Sequence, residues 1–214
     1  MAPDALMAAW LGRQLPPGAA GWFLSQRERL QRGVSERDFN LAISLAPRRL
    51  GKADLSLGPE DLAAADAARP GWDPRGWTVD QAGRLALLLA DGMDGPAFAA
   101  RLRSLLATAD LSETICFLRG LPLYPDPALH LMRAREGARS AVRPVFEAVA
   151  HANPYPAEAF DEAGWNQLVL KALFIETTLA PIQGLDRRAN PALARMLRDY
   201  AHERWAAGRR VSPE

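Results

Sequence analysis

Between Glu162 and Glu176 the chain reads EAGWNQLVLKALFIE, an apolar run interrupted by Asn166, Gln167 and Lys171. Helical spacing puts Trp165, Leu168, Val169, Ala172, Leu173 and Ile175 on a broad apolar arc. Gly164, Gln167 and Lys171 recur at three and four residues along one narrow stripe, and Asn166 borders it. A central helix that packs most of its surface and opens one edge to a groove has this pattern. An ammonium beside carboxamides in such a groove suits an anionic or carbonyl-bearing ligand, with the cation neutralising charge and the amides fixing orientation. The plainer reading is structural: Lys171 extends its head to water and Gln167 satisfies a loop carbonyl. What favours the groove is rarity, since 24 of the 26 cations are arginine and Lys52 is the only other lysine.

A second candidate lies further on. Arg195, Arg198 and His202 share three- and four-residue spacing on the last helix, with Arg188 just upstream of its start. Asn190 stands at the cap position, where unpaired N–H groups can receive an anion. Asp199 and Glu203 on the same helix favour an ordinary solvated face instead. An enzymatic variant makes Lys171 a base or Schiff-base amine, with His151 or His202 carrying protons.

Other chemistries find no support. HERWA at 202–206 begins like a zinc-protease helix but has Ala206 where the second histidine belongs. A three-histidine zinc site would require His130, His151 and His202 to converge from separate helices, and no helix carries paired aspartates for magnesium. Nucleophile-elbow, phosphate-loop and dinucleotide motifs are missing from the sequence. Cys116, between Ile115 and Phe117, reads as a core residue. No metal and no cofactor is expected. The loops PGWDPRGW and NPYP read as plugs that close the core, or, with Trp72, Trp77 and Tyr155 exposed, as anchors for a partner.

The elements that must position these residues are helices, because no convincing alternation of apolar and polar residues marks a strand. The expected fold class is all-α, an antiparallel helical stack arranged as a HEAT-like solenoid or a compact multi-helix bundle. One domain over residues 1–214 is expected, with N-terminal helices to 110 and C-terminal helices over 111–210. Start signals include Pro3–Asp4, Ser35 with Asp38, Thr78 with Gln81, Asp94, Asp110 with Glu113, Asp126–Pro127, Asp161, and Asn190–Pro191. The third helix is expected to close before Pro47. Net charge is +1, which draws the chain to neither nucleic acid nor an anionic membrane. With no apolar run near the ~20 residues that span a bilayer and no cationic leader, the expectation is a cytoplasmic protein without membrane insertion. Lys, Asn, Ile and Tyr, scarce in this Ala- and Arg-rich chain, total 13, and eight of them fall in 151–200. Chemistry is therefore sought there.

Three blocks in the C-terminal half, RAREGARSAVRPVFEAVAHANPYP, WNQLVLKALF and GLDRRANPALARMLRDYAHERWAAGR, together resemble the EboA family of bacterial proteins over residues 115–210. Arg133, Arg135, Glu136, Asn153, Tyr155, Asn166, Gln167, Lys171, Asp186, Arg188, Asn190 and His202 fall within them. The resemblance implies a non-catalytic accessory protein encoded beside a prenyltransferase-like membrane protein and a TatD-like hydrolase. It would support the making or export of a secondary-metabolite precursor, with a small-molecule metabolite or those ebo-cluster proteins as partners. It supplies no catalytic residues.

Overall fold

In the computed structural model, which describes residues 1–211, twelve α-helices and two 3-10 turns carry the fold. The helices are α1 (Pro3–Gln14), α2 (Pro17–Gln31), α3 (Glu36–Leu50), α4 (Pro59–Ala68), α5 (Val79–Ala90), α6 (Gly95–Thr108), α7 (Leu111–Arg119), α8 (Leu131–Arg139), α9 (Arg143–Ala150), α10 (Tyr155–Ala159), α11 (Glu162–Phe174) and α12 (Pro191–Ala206). Among the described residues there is no strand. The two isolated antiparallel bridges pair Asp54 with Thr78 and His151 with Ile182.

Ten of the twelve residues of α5 are buried, which makes it the axis of the N-terminal half. Helices α1, α2, α3 and α7 all pack on it. Since α1 meets α5 across three intervening helices, packing does not run from repeat to neighbouring repeat as in a solenoid, and the arrangement is a bundle. Gly83 lets α3 and α5 approach closely: a Cβ there would overlap Cδ1 of Leu50. In the C-terminal half α7, α8 and α9 pack on one another, and α11 lies against both α8 and α12.

Five of the twelve described helices start at a side chain that caps them, Ser35 of α3 among them. Asp94, Asp110, Asp161 and Asn190 accept the N–H of Ala97, Glu113, Gly164 and Leu193 at 2.8–2.9 Å. Each satisfies a donor the helix cannot.

Two boundaries differ from expectation. Helix α3 runs through Pro47 to Leu50. Proline leaves the Ile43 carbonyl without its helical donor, and Nε of Arg84, from α5, donates to it at 3.3 Å instead. Asp126 takes a left-handed φ of 47°, and Pro127–His130 forms a 3-10 turn, so α8 begins only at Leu131. NPYP ends α9 as expected, and Pro154 and Pro156 then sit at the start of a short additional helix, α10.

Arg84 also anchors a buried charge cluster. It is 2% exposed, like Asp80, and places its guanidinium 3.3 Å from Glu113 and 3.7 Å from Asp80.

Candidate functional site

Helices α8 and α11 frame a groove of about 500 Å³. The small residues Ala134, Gly137 and Ala138 let α8 sit low against its neighbours, and a Cβ at Gly137 would come within 2.7 Å of Val149. Buried Ala138, Phe160 and Leu168 give the groove an apolar lining. From α11 the stripe of Gly164, Gln167 and Lys171 forms one side, as its spacing predicts; Arg135 and Arg139 of α8 form the other.

The charges are unevenly matched. Asp161, which caps α11, also pairs with Nη2 of Arg135 at 2.9 Å. The Gly164 N–H and then the Arg135 guanidinium hold its carboxyl below the usual aspartate range. Arg139 and Lys171 have no carboxylate within 4 Å among the described residues; Lys171 Nζ donates only to the Arg139 carbonyl, at 3.4 Å. Arg139 ends α8, so the negative end of that helix offsets part of this charge. Among the described residues, two cations therefore face an apolar cleft without an acidic partner.

The remaining expected site residues lie elsewhere. Asn166, 3% exposed, points away from the groove and exchanges amide hydrogen bonds with Asn190, at 3.2 and 2.8 Å, across the α11–α12 contact. One residue is 100° of helix rotation, enough to separate it from Gln167. Arg188 donates to the carbonyls of Ala157 and Phe160 at 2.7 and 3.0 Å and lies over the Trp165 ring at 5.1 Å, so it ties α10 to α11. At the α12 start Asn190 accepts the Leu193 N–H, while Arg188 turns its guanidinium to the Ala157 and Phe160 carbonyls and not to the helix end. His202 is exposed and stacks edge-on with Trp205.

The aromatic loops are plugs. Trp72 and Trp77 are each 3% exposed and pack ring against ring, Trp72 also against Trp10, so neither offers the surface anchor considered for a partner. Tyr155, also buried, donates its hydroxyl to the Pro127 carbonyl.

His151 Nε2 donates to the Thr178 carbonyl at 3.0 Å and lines a different recess, so Lys171 has neither His151 nor His202 beside it in the groove. Cys116 is fully buried, and burial pushes its thiol up to about 12, which keeps it from acting as a thiolate.

Sequence reasoning missed Arg139, Phe160 and Ala138 as groove residues. Their place depends on how α8 and α11 pair, for which no local signal exists.

These features define an all-helical protein with an unpaired cationic groove in its C-terminal half. The chain belongs to the EboA family: the family described as metabolite traffic protein EboA matches residues 4–214, essentially the whole chain and well beyond the blocks that carry the resemblance. No curated protein and no solved structure matches it. No helix among the described residues is long and apolar enough to cross a membrane.

Proposed function

We propose that this EboA-type accessory protein carries, rather than converts, a small anionic metabolite with an apolar body, held in the α8–α11 groove. The observation that supports it is the pair of unmatched cations, Arg139 and Lys171, beside the apolar lining of Ala138, Phe160 and Leu168. A groove of about 500 Å³ falls within the ~300–1,000 Å³ of small-molecule sites. Lys171 and Arg139 neutralise the head group, Gln167 orients it, and the apolar lining takes the body. On this reading the ligand passes onward to partners of the same gene cluster.

The anionic fluorophore 8-anilinonaphthalene-1-sulfonate serves as the probe. It is expected to bind saturably and to be displaced by octyl phosphate better than by inorganic phosphate or octanol, because the groove engages both head and body. Lys171→Met and Arg139→Met should each weaken the probe about five- to tenfold, from roughly 1–1.4 kcal/mol per partly exposed charged contact. Lys171→Met should shift the thermal midpoint by less than about 2 °C, as surface substitutions do. A large fall in midpoint with unaltered probe affinity would show that Lys171 holds the fold and not a ligand.

A further inference from the structure

Sharing no residue with the groove, a second recess of about 180 Å³ lies where the loop after α4 meets the ends of α7 and α9. Arg75, Trp77, Arg119, Glu147, His151 and Ala152 are among the residues that line it. At this size it is well below the ~300 Å³ at which sites for larger organic ligands begin.

Its charges can be matched one by one. Arg75 is neutralised by Asp73, with Nε 2.9 Å from both carboxylate oxygens. Glu147 is engaged by Arg143 at 2.7 Å and by the Thr177 hydroxyl. Arg119 feels the field of Glu147 but, among the described residues, has no ion-pair contact of its own. Its Nη1 is fixed by two neutral acceptors, the Gly76 carbonyl at 3.1 Å and Gln81 Oε1 at 2.8 Å. Among the described residues it has no carboxylate within 4 Å, and Nε and Nη2 have no partner. A half-buried guanidinium with one edge anchored and the other unengaged is pre-set for a planar or tetrahedral oxyanion.

His151 adds a second donor. Because Nε2–H is given to the Thr178 carbonyl, Nδ1 is the free ring position, an acceptor when neutral and a donor once protonated. The turn that presents the imidazole is held under strain: Ala152 has φ of 49°, costly for a residue with a Cβ, and is pinned by its N–H to the Pro181 carbonyl at 2.9 Å. The charged groups around the imidazole are Glu147 and Arg143 from α9, Arg119 from α7, and the Arg75–Asp73 pair from the loop.

We infer that this recess is a small-oxyanion site, taking a phosphate or carboxylate group on the unengaged edge of Arg119 and on the protonated Nδ1 of His151. With the two matched pairs set aside, the recess carries one positive charge when His151 is neutral and two when it is protonated. The site is independent of the groove, so its failure would leave the groove reading untouched.

The test follows the His151 ring Cε1–H signal of the full chain by NMR, from pH 5 to 8, in sodium phosphate, sodium acetate or sodium chloride of equal ionic strength. Saturable binding of phosphate or acetate, but not chloride, is expected, with the apparent His151 pKa rising by about one unit. That shift corresponds to about tenfold tighter binding of the oxyanion to the protonated ring. A response in phosphate alone identifies phosphate as the ligand group, and one in acetate alone identifies carboxylate. The exposed His202 should show no saturable response. Arg119→Gln should abolish the effect. If that variant loses cooperative unfolding, Arg119→Lys, which keeps the charge but not the fork, should bind about tenfold more weakly. A His151 signal that responds to both oxyanions no more than to chloride overturns the inference, and so does a folded Arg119 variant with undiminished oxyanion binding.

Discussion

Replacing Asn166 by Ala separates the two sides of α11. Asn166 is 3% exposed and is joined to Asn190 by hydrogen bonds of 3.2 and 2.8 Å. Asn190 keeps its other two contacts, as acceptor for the Leu193 N–H and as donor to the Arg188 carbonyl at 3.1 Å. The loss is therefore two neutral hydrogen bonds at ~1 kcal/mol each, plus the small cavity left by the carboxamide, about 2–3 kcal/mol in all. For a chain of this size that corresponds to a fall of roughly 4–12 °C in thermal midpoint, followed by far-UV circular dichroism. Affinity for the anilinonaphthalene probe, measured well below the melt, should stay within about twofold. Gln167→Ala should behave in the opposite way, since Gln167 is exposed in the groove: a midpoint within about 2 °C and a weaker probe. Asn190→Ser, which keeps a capping oxygen but loses the amide pair, completes a cycle with an expected coupling of about 1–2 kcal/mol. Zero coupling, or an Asn166→Ala variant with an unchanged midpoint and poorer probe binding, would refute the division.

Other consequences can be checked separately. Arg84→Met should cost about 3–5 kcal/mol in urea unfolding, because Asp80 and Glu113 lose their buried counter-ion. Adding Pro47→Ala should recover about 1 kcal/mol, since the restored N–H can bond the Ile43 carbonyl that Arg84 served. Trp72→Ala should lose about 3–5 kcal/mol and Trp72→Phe much less, as expected of a core ring in contact with Trp10 and Trp77. Burial holds His130 and His151 below their ordinary 6.5. As pH falls below 6.5 the unfolded chain therefore takes up protons first. Unfolding free energy should be level above that pH and decline below it, through the lower folded values. In phosphate-free buffer the urea midpoint should drop between pH 7.5 and 5.5, and changing both residues to Gln should remove that component.

The caps made much of the helical layout legible, because a capping side chain, its spacing and the N–H it satisfies are all local. Asp94, Asp110 with Glu113, Asp161 and Asn190 act as their positions predict. Pro47 misleads because its missing hydrogen bond is replaced from another helix, by an arginine 37 residues further on. Asp126 misleads because an aspartate before proline marks a start without saying whether an α-helix or a 3-10 turn follows. In the groove, the stripe of Gly164, Gln167 and Lys171 was readable from periodicity, and Asn166 next to it was not. A buried carboxamide and a solvent-facing one have the same formula, and only the position of Asn190 on α12 decides which is which.

The groove's charge runs along its length, and that bears on how an anion would lie in it. Gly164 and Lys171 are seven residues apart, about 10 Å along the helix axis. At the Gly164 end, the Arg135 charge is answered by Asp161, whose carboxylate also caps the helix; a Cβ on Gly164 would press to 2.8 Å from that oxygen, so glycine preserves both contacts. At the Lys171 end, among the described residues, Lys171 meets the neutral Arg139 carbonyl as its acceptor and the Arg139 guanidinium has no acid within 4 Å. Leu168 and Ala138 line the groove between these ends. A ligand charged at both ends would meet a satisfied ion pair at one of them and gain little there. On this reading, an anion with a single head group places that head at Lys171 and runs its apolar body toward Phe160.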